Sequence, residues 1–268
     1  MDKLIKDGKF MAYTITQDQL DLLEKLCNAT AVSGDEYEVR KIVLEEVEPI
    51  ADECSVDTMG NVLAKKFGKG ENRIKVMLAA HMDEIGFMIV KKHDDNLFQF
   101  VNIGGIDERQ LPGKAVLVGR DHLPGVIGAK PIHMTTRAER KNKIGVSELR
   151  IDLGPEIGDR VKPGDWATFA TRFEVLGPSI RAKALDNRFG VATLIELIKH
   201  APENIDLLAA FTVQEEVGLR GARVAAYHFD PDMAIALDST PAYDLPTWDD
   251  EDQNVQYNTR LDAGPAIY

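Results

Sequence analysis

Ile74-Lys75-Val76-Met77-Leu78-Ala79-Ala80-His81-Met82-Asp83 is the stretch on which the fold turns. From Ile74 to Ala80 it is almost continuously apolar, as a central strand covered on both faces must be, and it then breaks into His81-Met82-Asp83. Two other apolar runs behave the same way. Asp206 to Val213 passes into Gln214-Glu215-Glu216, and Met233 to Leu237 passes into Asp238-Ser239. Helical patterning lies between them. Arg188 to His200 gains an apolar face from Phe189, Ala192, Leu194, Ile195 and Ile198, and Gly218 to Tyr227 is a second helical stretch.

Working outward, Thr16 with Gln19 makes a capping-box pattern ahead of Leu20, Leu22, Leu23 and Leu26. Ser33 with Glu36 repeats it ahead of Val39, Ile42, Val43 and Val47, and Pro49 closes that helix. Ser55-Val56-Asp57 and Val62-Leu63-Ala64 flank a turn at Met59-Gly60-Asn61 and predict a hairpin. Between residues 87 and 180 the texture changes. Short β-rich runs (Phe98 to Ile103, Ala115 to Val118, Gly125 to Ala129, Leu149 to Leu153, Trp166 to Phe173) alternate with Gly, Pro and Asp turns, which predicts a small antiparallel barrel or sandwich. The economical architecture is an α/β domain built from residues 1–86 and 181–268, split by a β-rich insertion at 87–180.

Composition narrows the partners. A net charge of -12 argues against nucleic acid or an anionic membrane. No stretch approaches the ~18–20 apolar residues that span a bilayer, and Met1 to Thr16 lacks the pattern of a secretory signal. Cys27 and Cys54, on a predicted helix and strand, fit reduced thiols and a cytoplasmic protein. The acidic cluster Asp249 to Asp252 is expected to be a solvated loop.

The polar ends of the apolar strands carry the chemistry. In an open α/β sheet the carboxyl ends of strands gather at one edge, where ligands bind. His81-x-Asp83, Glu215-Glu216 and Asp238 would meet there, joined by Asp186 where the insertion ends and a helix begins. Zn²⁺ accepts imidazole nitrogen and carboxylate oxygen, and a bridging carboxylate can hold two ions ~3.5–4 Å apart. On a strand, residues two apart share a face. Asp83 is therefore placed to accept the proton of the other ring nitrogen of His81. Adjacent Glu215 and Glu216 point apart, so one can bind a cation while the other takes a proton from water. Each element alone has a duller reading, as a strand edge, a helix-dipole partner or a cap. Their joint placement points to a metal-dependent hydrolase and leaves several hydrolase classes open.

The motifs Ala79-Ala80-His81-Met82-Asp83-Glu84-Ile85-Gly86, Lys183-Ala184-Leu185-Asp186-Asn187-Arg188, Val213 to Ala222 and Leu237-Asp238 resemble those of the M42 metallo-aminopeptidases. That group includes glutamyl and deblocking aminopeptidases and the tetrahedral peptidase assemblies. Ile103-Gly104-Gly105-Ile106-Asp107, with Leu111-Pro112-Gly113 after it, is similar to the family's inserted domain, and Ser33-Gly34 with Glu36 to its N-terminal signature. The resemblance implies a zinc-peptidase-like α/β/α catalytic domain with an inserted barrel-like domain that mediates subunit contacts. It implies a dinuclear centre of Zn or Co, with His81, Asp186 and Asp238 on one ion, Asp186 bridging, and Glu216 on the second. Glu215 would be the general base, and Asp83 would orient His81. The substrate would be a peptide with a free N-terminus, hydrolysed by a metal-activated water inside a homo-oligomer, from a dimer up to a dodecamer.

Two departures accompany the resemblance. Pro155 to Arg160 is shorter than the matching family segment. Family members also continue beyond the point matching Ile267, to a histidine that completes the second site. His93, His122, His133, His200 and His228 do not match that position, so the second site is expected to be incomplete and activity reduced. Two other readings stand beside the aminopeptidase: a non-catalytic, metal-binding oligomeric remnant of the fold, and an endoglucanase-like glycoside hydrolase, which would work with two carboxylates.

Overall fold

A computed structural model describes residues 5–6, 9–10, 15–93, 96–244, 259–261 and 263–267. The cluster at 249–252 lies outside the described residues. Strands β1 (Ile5–Lys6) and β2 (Lys9–Phe10) form a short ladder ahead of α1 (Gln17–Asn28) and α2 (Tyr37–Val47). The Thr16 capping box of α1 forms: its hydroxyl accepts from Gln19 N while the Gln19 side chain accepts from Thr16 N. The one expected at Ser33 does not. Glu36 stands at the N-cap of α2 without a side-chain cap bond, and the Ser33 hydroxyl donates instead to the buried Asp83 carboxylate at 2.6 Å. A hydrogen bond to a buried charge is stronger than one to a neutral cap amide.

The hairpin of β3 (Glu53–Val56) and β4 (Val62–Lys66) forms as its turn predicts, with Asp57 Oδ1 accepting from the backbone N–H groups of Met59, Gly60 and Asn61. After β5 (Ile74–His81) the chain enters β6 (Gly86–Lys92), β7 (Leu97–Ile103), β8 (Ala115–Val118), β9 (Leu123–Gly128), β10 (Arg150–Asp152) and β11 (Trp166–Phe169). These six close into an antiparallel barrel in the order β10-β7-β6-β11-β8-β9, which decides between barrel and sandwich. Inward-facing Phe87, Ile89, Phe98, Phe100, Val116, Ile127 and Ile151 fill it. The hairpin of β12 (Glu174–Leu176) and β13 (Ser179–Arg181) leads back to α3 (Leu185–Lys199), β14 (Ile205–Thr212), α4 (Arg220–Phe229) and β15 (Met233–Ala236).

A second sheet runs β15-β5-β14-β4-β3, with β15, β5 and β14 parallel and β4 and β3 antiparallel. Alternation along β14 divides the core. Leu207, Ala209 and Phe211 face α1, α2 and α3, whereas Leu208 and Ala210 face Ala225 and Phe229 of α4. The result is an α/β/α arrangement beside a barrel, as the sequence texture predicts. Phe189 departs from expectation. It is 53% exposed, because the buried stripe of α3 is Val191, Leu194, Ile195 and Ile198, at helical spacing. Among the described residues no helix is long and apolar enough to cross a membrane.

Candidate metal centre

Three parallel strands bring their polar ends to one edge of the sheet. β5 finishes on His81, β14 continues through Val213 into the turn carrying Glu215 and Glu216, and β15 leads through Leu237 to Asp238. Asp186 reaches the same place from α3, whose regular helical backbone starts only after the non-helical Asp186 and Asn187. Asn187 ties these pieces together. Its side chain accepts from Gly190 N at 3.0 Å and donates to the Leu237 carbonyl at 2.7 Å, joining the start of α3 to the end of β15.

The His81 side chain is 4% exposed and stands at the centre. Its Nε2 lies 3.2 Å from Asp186 Oδ1, 3.7 Å from Asp238 Oδ1 and 3.8 Å from Glu215 Oε2. His81–Asp186–Asp238 and His81–Glu215–Glu216 each offer donor atoms within 4.8 Å of one another. Asp83 lies beyond the end of β5, so the strand-face argument does not place it. Its backbone carbonyl faces His81 Nδ1 at 3.1 Å, and its carboxylate Oδ1 stands 3.5 Å from the same nitrogen. That carboxylate also accepts from Glu215 N at 3.0 Å and Glu216 N at 3.1 Å. Asp83 therefore orients the imidazole and anchors the glutamate turn together.

The electrostatics are ones that a bound cation would relieve. Burial opposes a charge on His81, yet the hydrogen bonds to Asp186, Asp238 and Asp83 outweigh it and push the imidazole up to about 12. Glu216 is pushed up to about 7 by burial and by the like charges of Asp186 and Glu215, against the pull of His81. Glu215 is raised as well, by burial and then by Asp238, Asp83 and Asp186. One imidazolium cannot neutralise that many carboxylates. An imidazole nitrogen with several carboxylate oxygens is a donor set suited to divalent cations such as Zn²⁺, and the residues fit them.

Behind the centre lies a layer that sequence reasoning missed. Glu84 is 2% exposed and accepts from Lys183 Nζ at 2.8 Å, Arg188 Nη2 at 3.2 Å, Ala31 N at 2.9 Å and Thr168 Oγ1 at 2.9 Å. Arg188 is fully buried and donates to the backbone carbonyls of Leu26, Met82 and Asp83. These charges hold the His81–Asp83 segment against α1, α3 and the barrel. Their only sequence signal is a charged residue beside each metal-binding motif, with no periodicity to mark it as buried.

The M42 glutamyl aminopeptidase family model matches residues 60–268. A putative aminopeptidase of Acetivibrio thermocellus is 37% identical over 94% of this chain and 73% of its own length. Among solved structures, an aminopeptidase of the archaeon Desulfurococcus kamchatkensis superposes with a TM-score of 0.84 at 36% identity, covering 93% of this chain and 69% of that one. The TET1 peptidase of Pyrococcus horikoshii, described as assembling into a tetrahedron or a large octahedral shell, has a TM-score of 0.73 at 36% identity, over 85% of this chain and 72% of its own.

Proposed function

The chain belongs to the M42 glutamyl aminopeptidase family, and with that as premise we propose how its residues divide the work of a metal-dependent aminopeptidase. The observation that carries the reading is the convergence on His81 of carboxylates from Asp186, the turn after β14, and the end of β15. His81, Asp186 and Asp238 would hold one divalent cation, and Glu216, with Asp186, would hold a second. Bound there, Zn²⁺ or Co²⁺ would supply Lewis acidity to the scissile carbonyl and would lower the pKa of water toward ~7. Glu215 takes a proton from the attacking water and returns it to the departing amine, and its raised pKa suits both transfers. Asp83 keeps His81 in the tautomer whose Nε2 faces the cation, because Nδ1 is turned to the Asp83 carbonyl. The excess of carboxylates also favours a substrate with a positively charged N-terminus.

In this reading residues 1–86 and 181–268 form the catalytic unit, and the insertion at 87–180 supplies contacts between copies. The described assembly of the Pyrococcus horikoshii relative supports a homo-oligomer. The two free cysteines suit a cytoplasmic location. The test is hydrolysis of N-terminal aminoacyl substrates, lost on chelation and restored by Zn²⁺ or Co²⁺. Metal-replete protein that holds about one ion per chain without turnover would establish the non-catalytic remnant instead. Cleavage of a cellulose-type polymer that survives chelation would establish the glycosidase.

A further inference from the structure

We propose that Ser33 and Glu36 are positioning residues for the glutamate pair, acting through the backbone of the Gln214–Glu216 turn; the inference rests on the roles given above to Glu215 and Glu216. Three successive backbone N–H groups of that turn end on carboxylates. Gln214 N donates to Glu36 Oε1 at 3.3 Å, Glu215 N to Asp83 Oδ1 at 3.0 Å and Glu216 N to Asp83 Oδ2 at 3.1 Å. Gln214 has φ 55°, a left-handed backbone that is uncommon for a residue with a side chain. The two acceptors hold the turn in that conformation. Asp83 is fully buried and Glu36 is 3% exposed, so both are built into the interior.

Both acceptors are governed from one short segment. Ser33 Oγ donates to Asp83 Oδ2 at 2.6 Å, and the same Glu36 Oε1 that receives Gln214 N also receives Gly34 N at 2.6 Å. The segment is itself fixed from the barrel side. Gly34 has φ 97°, and a Cβ there would lie 3.4 Å from the Trp166 ring. Val32 pairs with Glu84 in an isolated bridge, and Asp35 N donates to the Val32 carbonyl at 2.8 Å. Barrel wall, Ser33–Glu36 segment and glutamate turn thus form one continuous set of contacts. The carboxylates of Glu215 and Glu216 project from the backbone so held, and displacement of reacting groups by about 1 Å can cost on the order of 10²-fold in rate.

The test uses the full chain with Ser33→Ala, Ser33→Thr, Glu36→Ala and Glu36→Gln. Each is assayed for kcat and KM on an aminoacyl substrate, for release of Zn²⁺ to a fluorescent chelator, and for thermal unfolding. Ser33→Ala and Glu36→Ala are expected to lower kcat about tenfold with KM within about twofold, a tenfold change being ~1.4 kcal/mol. The ion held by Glu216 should be given up at about tenfold lower chelator concentration. Ser33→Thr keeps the hydroxyl and Glu36→Gln keeps an accepting oxygen, so both should recover most of each loss. Folded Ser33→Ala and Glu36→Ala with unchanged kcat and chelator titration would overturn the proposal. So would losses that scale with the unfolded fraction and that Thr and Gln do not recover. If the unsubstituted protein cleaves no aminoacyl substrate, the aminopeptidase reading falls, while the chelator titration still decides whether these residues set the glutamate turn.

Discussion

Replacing Glu84 by Gln tests the charged layer that holds the centre in place. Among the described residues the glutamate is the sole carboxylate paired with two buried cations, Lys183 Nζ at 2.8 Å and Arg188 Nη2 at 3.2 Å. Glutamine keeps the shape, removes the charge and turns an amide donor toward other donors. Removing one partner of a buried ion pair costs ~3–5 kcal/mol, and for chains near this size each kcal/mol moves Tm by ~2–4 °C, so a loss of about 10 °C is expected at pH 7. The pH dependence has a definite sign. Burial holds the Lys183 ammonium below its ordinary value, against the pull of Glu84 and with the push of Arg188. The unfolded chain therefore binds that proton more tightly, and stability rises with pH from the folded pKa up to the ordinary value. Without Glu84 the depression deepens and the window opens at lower pH. The deficit of the variant should then shrink between about pH 7 and pH 9. Thermal unfolding of both proteins at the two pH values measures this. A loss under about 2 °C at pH 7, or a deficit that widens at pH 9, would refute the account.

Glu215→Gln should lower kcat by about 10²–10⁴-fold while leaving cation binding in place, as removal of a general base does; retained turnover would remove Glu215 from that role. Cation binding at pH 7 should release about one to two protons, because His81 at about 12 is charged and Glu216 at about 7 is half-protonated before the ion enters. Apparent affinity should accordingly rise with pH. Calorimetry in buffers of different ionisation heat counts the protons, and release of fewer than about half a proton would contradict the assignment. Gly86→Ala places a Cβ 2.5 Å from Val32 Cγ2 and 2.7 Å from the Ala167 carbonyl oxygen. One neighbour is backbone and cannot step aside, so a loss of ~1–3 kcal/mol should appear in denaturant unfolding, and an unchanged midpoint would show that the junction yields.

What the sequence discloses follows from what has a period. β5 and β14 are largely apolar on both faces and lead into His81-Met82-Asp83 and Glu215-Glu216, so strand, layer and site edge are all legible in Ile74 to Asp83 and Asp206 to Glu216. The Met59-Gly60-Asn61 hairpin is local chemistry and forms as read. Ser33 shows the opposite case. A serine three residues before a glutamate matches a cap pattern, and only the fold brings Asp83 within reach of its hydroxyl. β6 follows the His81 motif too closely for the sequence texture to mark it as a separate run, although it is the barrel strand between β7 and β11. Phe189 is apolar but stands two residues before Val191, on the opposite side of α3 from the buried stripe of Val191, Leu194, Ile195 and Ile198, so hydrophobicity without the helical period misplaces it.

The buried charges make the same distinction physically. The centre gathers Asp186, Asp238, Glu215 and Glu216 around one imidazole, and burial, reinforced by their mutual repulsion, raises the pKa of both glutamates. A fold that relied on these acids for stability would fail. The frame is held instead one layer back, where Arg188 donates to the successive carbonyls of Met82 and Asp83 and Glu84 offsets Arg188 and Lys183. Asp83 stands between the layers. Burial works against its charge, but His81, the Ser33 hydroxyl and the Glu215 N–H keep its carboxyl below the usual range. It stays ionised while its neighbours compete for protons. That division lets the outer acids remain under-neutralised until a cation arrives, without loosening the turn that aims them. It also explains why the supporting residues cannot be read from any single motif. Ala31, Ser33, Glu84, Thr168, Lys183 and Arg188 come from distant parts of the chain, and each finds its partner across a long separation in sequence.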